Sequence, residues 1–152
     1  MITILFLASN PIDTSSLRLD EEIRAIDQWI QRSKNGNLFE IKQAWAVRVA
    51  DLQEALLRYK PDIVHFSGHG SNTNEIIFMD DSGTKQPVSN ASFTNLLFTL
   101  RDKIRCVVLN ACYSEQQANE IAQNIDCVIG MKKTITDQSS IKFAAAFYQA
   151  LS

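Results

Sequence analysis

Two short polar segments of the sequence combine residue types that can carry out nucleophilic chemistry. Residues 67–70 read Ser-Gly-His-Gly, and residues 110–114 read Asn-Ala-Cys-Tyr-Ser. A thiolate is a strong nucleophile, but a free thiol has a pKa of about 8.5 and needs a base at neutral pH. An imidazole, whose ordinary pKa is about 6.5, can take that proton or stabilise the thiolate as its cation. His69 and Cys112 therefore form a candidate catalytic pair.

Each of these residue types also has a structural interpretation. A cysteine near a strand end is commonly a small buried apolar residue, which explains Cys106 and Cys127 inside apolar segments. Cys112 differs because it falls at the predicted exit of a strand and polar residues follow it. His65 is the rival imidazole, but it lies inside a predicted strand. We interpret His65 as a packed, hydrogen-bonded histidine.

The two segments follow strands in a predicted alternation of strands and helices. Short apolar runs predict strands at 2–8, 38–47, 63–66, 106–109 and 127–129, with a small hairpin over 76–88. Helical spacing predicts helices at 20–33, 49–59, about 93–104, 118–125 and 139–152. This order is typical of an α/β domain with a parallel sheet and helices on both faces. Sites in such sheets lie beyond the carboxyl ends of the strands, where both segments fall.

Length and composition limit the possible classes of function. The chain has 152 residues, of which 45% are apolar and 21% charged, as expected for one globular domain over 1–152. A net charge of −2 gives no support to nucleic-acid binding. No apolar run approaches the roughly 20 residues that span a bilayer, and the first residues lack the basic start of a secretory signal. We therefore expect a cytoplasmic protein without a membrane partner.

The same residues argue against metal and cofactor sites. The chain has three cysteines and two histidines and contains no Cys-x-x-Cys pair, so a zinc site is poorly supported. No Gly-x-Gly-x-x-Gly follows the first strand, so we discount a nucleotide-binding domain. We expect no cofactor.

The chain resembles a known family of peptidases. His-Phe-Ser-Gly-His-Gly at 65–70 and Leu-Asn-Ala-Cys-Tyr-Ser at 109–114 are similar to the two catalytic motifs of caspase-like cysteine peptidases. The resemblance is closest to bacterial CHAT domains, relatives of separase and the metacaspases. Segments 6–11 and 17–22 and the closing helix also resemble this family. The resemblance implies a three-layer caspase-like fold, with a mainly parallel sheet in the order 2-1-3-4-5 and the hairpin outside it.

The resemblance also implies roles for individual residues. His69 would be the general base and acid, and Cys112 the nucleophile. The backbone N–H groups of Gly70 and Cys112 would form the oxyanion hole. Asn110 matches the position that lines the primary specificity pocket in this family.

Asp137, after the fifth strand, is the candidate for substrate selection. Its carboxylate could pair with an Arg or Lys side chain of a substrate. Residues 9–11 read Ser-Asn-Pro where caspases have an arginine, so we do not expect cleavage after Asp. The alternative is that Asp137 caps the last helix. It could do both only if its two oxygens were divided between the roles.

Two classes of function compete. The leading hypothesis is a cysteine endopeptidase that cleaves a protein or peptide substrate after a basic residue. It would act as the effector module of an assembly controlled by a regulatory protein or a fused sensor domain. The alternative is a catalytically silent caspase-like interaction module. The closing helix has no Gly, Asn or Pro stop signal, which favours a module of a longer protein.

Overall fold

A computed structural model describes all residues, 1–152, as an α/β domain. Five parallel strands form the central sheet in the order β2-β1-β3-β6-β7, and β4 and β5 form a separate antiparallel hairpin. The strands are β1 Ile2–Ala8, β2 Phe39–Ala44, β3 Ile63–Ser67, β4 Glu75–Met79, β5 Lys85–Ser89, β6 Cys106–Asn110 and β7 Cys127–Ile129. With the hairpin strands left out, this is the predicted order 2-1-3-4-5, so the predicted architecture is confirmed.

Helices cover both faces of the sheet and create two apolar cores. The helices are α1 Leu19–Arg32, α2 Val49–Tyr59, α3 Asn90–Phe98, α4 Glu115–Ile121 and α5 Asp137–Leu151. The larger core lies on the face covered by α2, α3, α4 and the hairpin, and the smaller lies under α1 and α5. All five residues of β3 and all five of β6 are buried, as expected for central strands covered on both faces.

The apolar stripe of α1 packs this helix against one face of the sheet. Leu19, Ile23, Ile26 and Ile30 are buried, as their spacing predicts. The helix begins at Leu19, one residue before the predicted start, with Arg18 as its N-cap residue. The acidic side chain of Glu22 is also buried on this face, and it faces the sheet beside α5.

Several predicted helix bounds are wrong, and α4 lies at Glu115–Ile121 instead of 118–125. The last helix begins at Asp137 instead of Ser139, and Thr136 is its N-cap, with its hydroxyl accepting from the Ser139 N–H (3.2 Å). Asp137 is therefore the first helical residue, and the interpretation of Asp137 as the helix cap is wrong. The helix α3 ends at Phe98, and Ile104 is buried in the turns that follow it.

The hairpin is anchored to the sheet by an aromatic cluster. Phe78 of β4 contacts Phe66 of β3 and Phe93 of α3, with ring centroids 5.3 and 6.0 Å away. All three rings are fully buried. This packing places β4 beside the segment that follows β3, and the Ile77 N–H donates to the His69 carbonyl (3.0 Å). The hairpin thus supports one of the candidate catalytic residues.

No helix is both long and apolar enough to cross a membrane.

Replacing Phe78 with alanine should destabilise the domain and loosen the hairpin. Removing a buried aromatic ring costs about 3–5 kcal/mol of the free energy of unfolding. Urea denaturation followed by circular dichroism measures this loss. Leu57→Ala is the control, because Leu57 is 49% exposed and its truncation should cost far less. Equal losses in the two variants would contradict the anchoring role of Phe78.

Candidate active site

The pairing of β3 with β6 brings the two polar segments together. Ser67, the last residue of β3, lies opposite Asn110, the last residue of β6. The Gly68 N–H donates to the Asn110 carbonyl (3.4 Å), which extends the pairing one step beyond the strands. His69 and Cys112 follow immediately at the same edge of the sheet.

His69 is held by backbone groups on two sides. Its carbonyl is bonded to the hairpin, and its Nε2 lies 2.8 Å from the carbonyl oxygen of Ser15. A carbonyl can only accept, so Nε2 carries the ring proton. Nδ1 makes no hydrogen bond, so it is the ring nitrogen available to act as a general base.

Cys112 lies in a strained turn. The next residue, Tyr113, has φ of +55°, a left-handed conformation that is costly for a residue with a bulky side chain. Such strain persists only where surrounding contacts enforce it. The Cys112 side chain is half-buried, and its Sγ accepts from the Ile135 N–H at 3.5 Å.

Ser114 enforces this turn from within. Its buried hydroxyl shares its one proton between the carbonyls of Leu109 and Ala111, at 3.1 and 2.8 Å, and accepts from the Met131 N–H (2.8 Å). These bonds connect the end of β6 to the segment that follows β7. Ser114 therefore links the cysteine turn to the loop that also contacts the thiol.

Gly70 lies against the peptide of Cys112. A Cβ atom at position 70 would be 2.0 Å from the Cys112 carbonyl oxygen, so only glycine allows this approach. The contact brings the two proposed oxyanion-hole residues together. No hydrogen bond joins the side chains of His69 and Cys112, and such contacts are often long in sites without a ligand.

Most of the candidate residues line one cavity of about 310 Å³. His69, Asn110, Cys112 and Asp137 line it, whereas Gly70 lies beside it against Cys112. None of the 14 lining residues is a lysine or an arginine. The structure thus brings the predicted residues to one place.

Asp137 uses only one of its two carboxylate oxygens in hydrogen bonding. Oδ2 accepts from the backbone N–H of Arg18 (3.1 Å), and Oδ1 makes no hydrogen bond. The carboxylate thereby ties the start of α5 to the start of α1. One oxygen is left for a ligand in the cavity.

Asn110 is buried and belongs to a polar network. Its Nδ2 donates to Oε1 of Glu22 (2.8 Å) and to the Ser140 carbonyl (3.3 Å), while its Oδ1 has no partner. His65 is also fully buried, and its Nε2 is hydrogen-bonded to Glu22 while its Nδ1 is hydrogen-bonded to the Tyr148 hydroxyl. The interpretation of His65 as a packed, hydrogen-bonded residue is therefore confirmed.

Two contributors escaped the sequence analysis. Glu22 is the acceptor of this network. The sequence feature that could have indicated its role is an acidic residue on the apolar stripe of α1, between Leu19 and Ile26. Ser15 contributes only its backbone carbonyl oxygen, so the identity of its side chain could not have indicated this contact.

Comparison with known proteins identifies the family. The CHAT domain family matches residues 14–152. The chain belongs to the CHAT domain family. Two curated relatives are each 26% identical to it over 97% of its length, a "Probable protease" of Gillisia limnaea and a "Roc-COR-CHAT protease" of an unknown prokaryotic organism. The present chain covers only 26% of the length of the first relative and 15% of the length of the second.

A solved structure supports the fold of this CHAT domain. A secreted C11 cysteine protease from Bacteroides thetaiotaomicron, in complex with an irreversible peptide inhibitor, superimposes with a TM-score of 0.69. The match covers 99% of this chain and 57% of that protein, at 13% identity. The resemblance to caspase-like CHAT domains and the three-layer fold are thus confirmed, while the roles of individual residues stay predictions.

The three thiols of this CHAT domain should differ in reactivity. Burial, together with a hydrogen bond to Cys127, raises the pKa of Cys106 to about 12. A thiol with that pKa is about 10⁻⁴ thiolate at pH 8, so Cys106 should react with iodoacetamide far more slowly than the exposed Cys127. His69→Ala should slow alkylation of Cys112 about tenfold, because the neighbouring base is lost. Peptide mass spectrometry over a time course measures all three rates.

Cys127 is the internal control in this experiment, because it is exposed and lies in a different strand. Its alkylation rate should not change in His69→Ala. Equal rates for Cys112 in the wild type and the variant would contradict the pairing of His69 with Cys112.

Proposed function

We propose that this CHAT domain is a cysteine endopeptidase with Cys112 as nucleophile and His69 as general base and acid. The observation that carries the proposal is that both side chains line one cavity while the Ser15 carbonyl holds the His69 proton on Nε2. Nδ1 is then free to take the thiol proton.

The reaction would proceed by acyl transfer. His69 Nδ1 takes the proton of Cys112, and Sγ attacks the carbonyl carbon of the scissile peptide bond. The N–H groups of Gly70 and Cys112 would stabilise the oxygen anion that develops. The protonated His69 gives its proton to the leaving amine, and the C–N bond breaks. Water, deprotonated by His69, then hydrolyses the thioester and restores the free thiol.

Asp137 would direct cleavage to sites after a basic residue. Its Oδ1 is free, it lines the cavity, and no lysine or arginine competes for it there. A carboxylate in a partly enclosed site forms strong charge-assisted hydrogen bonds with Arg or Lys. Asn110 would line the same specificity pocket through its buried amide.

The domain would work as an effector module of a larger assembly. One relative is named a Roc-COR-CHAT protease, and the present domain corresponds to only 15% of that protein. We infer that a regulatory protein or a fused sensor domain controls access to the cavity. Three free cysteines, with Cys106 opposite Cys127 in neighbouring strands, are consistent with the reducing conditions of the cytoplasm.

Cleavage should depend on both members of the proposed pair. Cys112→Ala should lower peptidase activity more than about 10³-fold, since no other group supplies the nucleophile. His69→Ala should cause a loss of similar order. A peptide library read by mass spectrometry measures the products.

Cys127→Ala is the matched control, because it removes an exposed thiol far from the cavity and should leave cleavage unchanged. Activity that survives in Cys112→Ala would refute the mechanism. A wild type without activity would favour the alternative of a silent interaction module.

Asp137→Asn should reduce cleavage after arginine about tenfold relative to wild type, because an amide cannot pair with a guanidinium as a carboxylate does. The measurement is kcat/KM on peptides that differ only in the residue before the scissile bond. Asp126→Asn is the control, since Asp126 is an exposed acid with a surface partner and lies outside the cavity. An unchanged preference in Asp137→Asn would remove Asp137 from this role.

A further inference from the structure

A second carboxylate lies directly beneath the wall of the cavity. Glu22 is fully buried, and its Oε1 accepts from Asn110 Nδ2 (2.8 Å) while its Oε2 accepts from the Ser67 hydroxyl (2.5 Å). Asn110 and Ser67 both line the cavity, whereas Glu22 does not. Glu22 therefore contacts two residues of the cavity wall from behind.

The hydrogen bonds around His65 indicate which of its ring nitrogens accepts and which donates. The Tyr148 hydroxyl is fully buried, and its only hydrogen-bond partner is His65 Nδ1 (3.0 Å). Burial raises the pKa of this hydroxyl well above its usual value, so it keeps its proton and needs an acceptor for it. Nδ1 is that acceptor. Nε2 then carries the ring proton and donates it to Oε1 of Glu22 (2.8 Å).

No lysine or arginine is bonded to the carboxylate of Glu22. Its three partners are the imidazole of His65, the amide of Asn110 and the hydroxyl of Ser67. Hydrogen bonds offset part of the cost of burying a charge, but a nearby cation would offset more. The cavity wall provides no such cation. A positively charged group that enters the cavity would supply it, in surroundings where charges interact strongly.

We propose that Glu22 is a positioning residue that orients Asn110 and Ser67 at the cavity wall and makes the cavity selective for a positively charged substrate side chain. This inference rests on the proposed peptidase function and assigns part of its specificity to a residue that the substrate does not touch. Asp137 would bind the cation directly, and Glu22 would act on it through Asn110 and Ser67.

The substitution Glu22→Gln removes the negative charge of the side chain while it keeps the hydrogen-bond geometry. The amide oxygen of glutamine can accept from His65 and Asn110 as Oε1 does. Its NH₂ group can donate to Ser67, whose hydroxyl rotates to accept. Every hydrogen bond of the network can thus be kept while the negative charge is lost. Glu54→Gln is the matched control, because it makes the same change at an exposed glutamate of α2 that lies outside the cavity.

The experiment compares peptides with arginine or citrulline, its neutral isostere, before the scissile bond. Glu22→Gln should lower kcat/KM for the arginine peptide about tenfold, mainly through KM, and leave the citrulline peptide nearly unchanged. Glu54→Gln should leave the arginine-to-citrulline ratio unchanged, because its side chain is exposed and outside the cavity. An unchanged ratio in folded Glu22→Gln would overturn the proposal.

A binding experiment tests the same inference without cleavage and without a Glu22 variant. In the doubly substituted protein Cys112→Ala, Asp137→Asn, calorimetry measures the affinity of the two peptides. The arginine peptide should still bind about tenfold more tightly, because the Glu22 charge remains. Equal affinities would overturn the proposal. A wild type that binds arginine selectively but cleaves nothing would instead refute the peptidase function alone.

Discussion

The register between β3 and β6 is the constraint on which the candidate site depends. Ser67 lies opposite Asn110, and side chains of paired parallel residues project to the same face of the sheet. Both therefore point toward α1 and α5, where the carboxylate of Glu22 receives them. A slip by one residue would turn Asn110 to the other face and place Leu109 in the polar network. The same slip would separate Gly70 from the Cys112 carbonyl.

The polar network also explains why α1 and α5 pack in one defined arrangement on an otherwise apolar face of the sheet. The smaller core under α1 and α5 is made of aliphatic and aromatic side chains, which pack well in several arrangements. Glu22 of α1 and Tyr148 of α5 reach His65 of β3 from opposite sides. A shift of either helix would leave a buried polar group without a partner, at a cost of about 1–3 kcal/mol. The network that borders the cavity thus also sets the docking of both helices.

Much of the fold could be predicted from periodicity, because β1, β3 and β6 are continuous buried runs and α1 buries one regular apolar stripe. The positions of His69 and Cys112 followed, since residues after parallel strands share one edge of the sheet. The contact between His69 and Ser15 could not be predicted, because any residue has the carbonyl that accepts the bond. The cap at Thr136 was missed because Asp137 is also a good capping residue, and only the backbone shows which side chain reaches Ser139. Glu22 was missed because helical spacing reports burial of the position but not the buried partners that make an acid tolerable there.

Backbone groups from outside the sheet complete the site. The Ser15 carbonyl and the Ile77 N–H hold His69 from the segment after β1 and from the hairpin. The Met131 N–H and the Ile135 N–H hold the cysteine turn from the segment after β7. These groups are present whatever the side chain, so sequence can vary at such positions while the geometry persists. For the proposed chemistry, the side chains that no backbone group can replace are then few, namely the imidazole of His69, the thiol of Cys112 and the buried carboxylate of Glu22 behind Ser67 and Asn110.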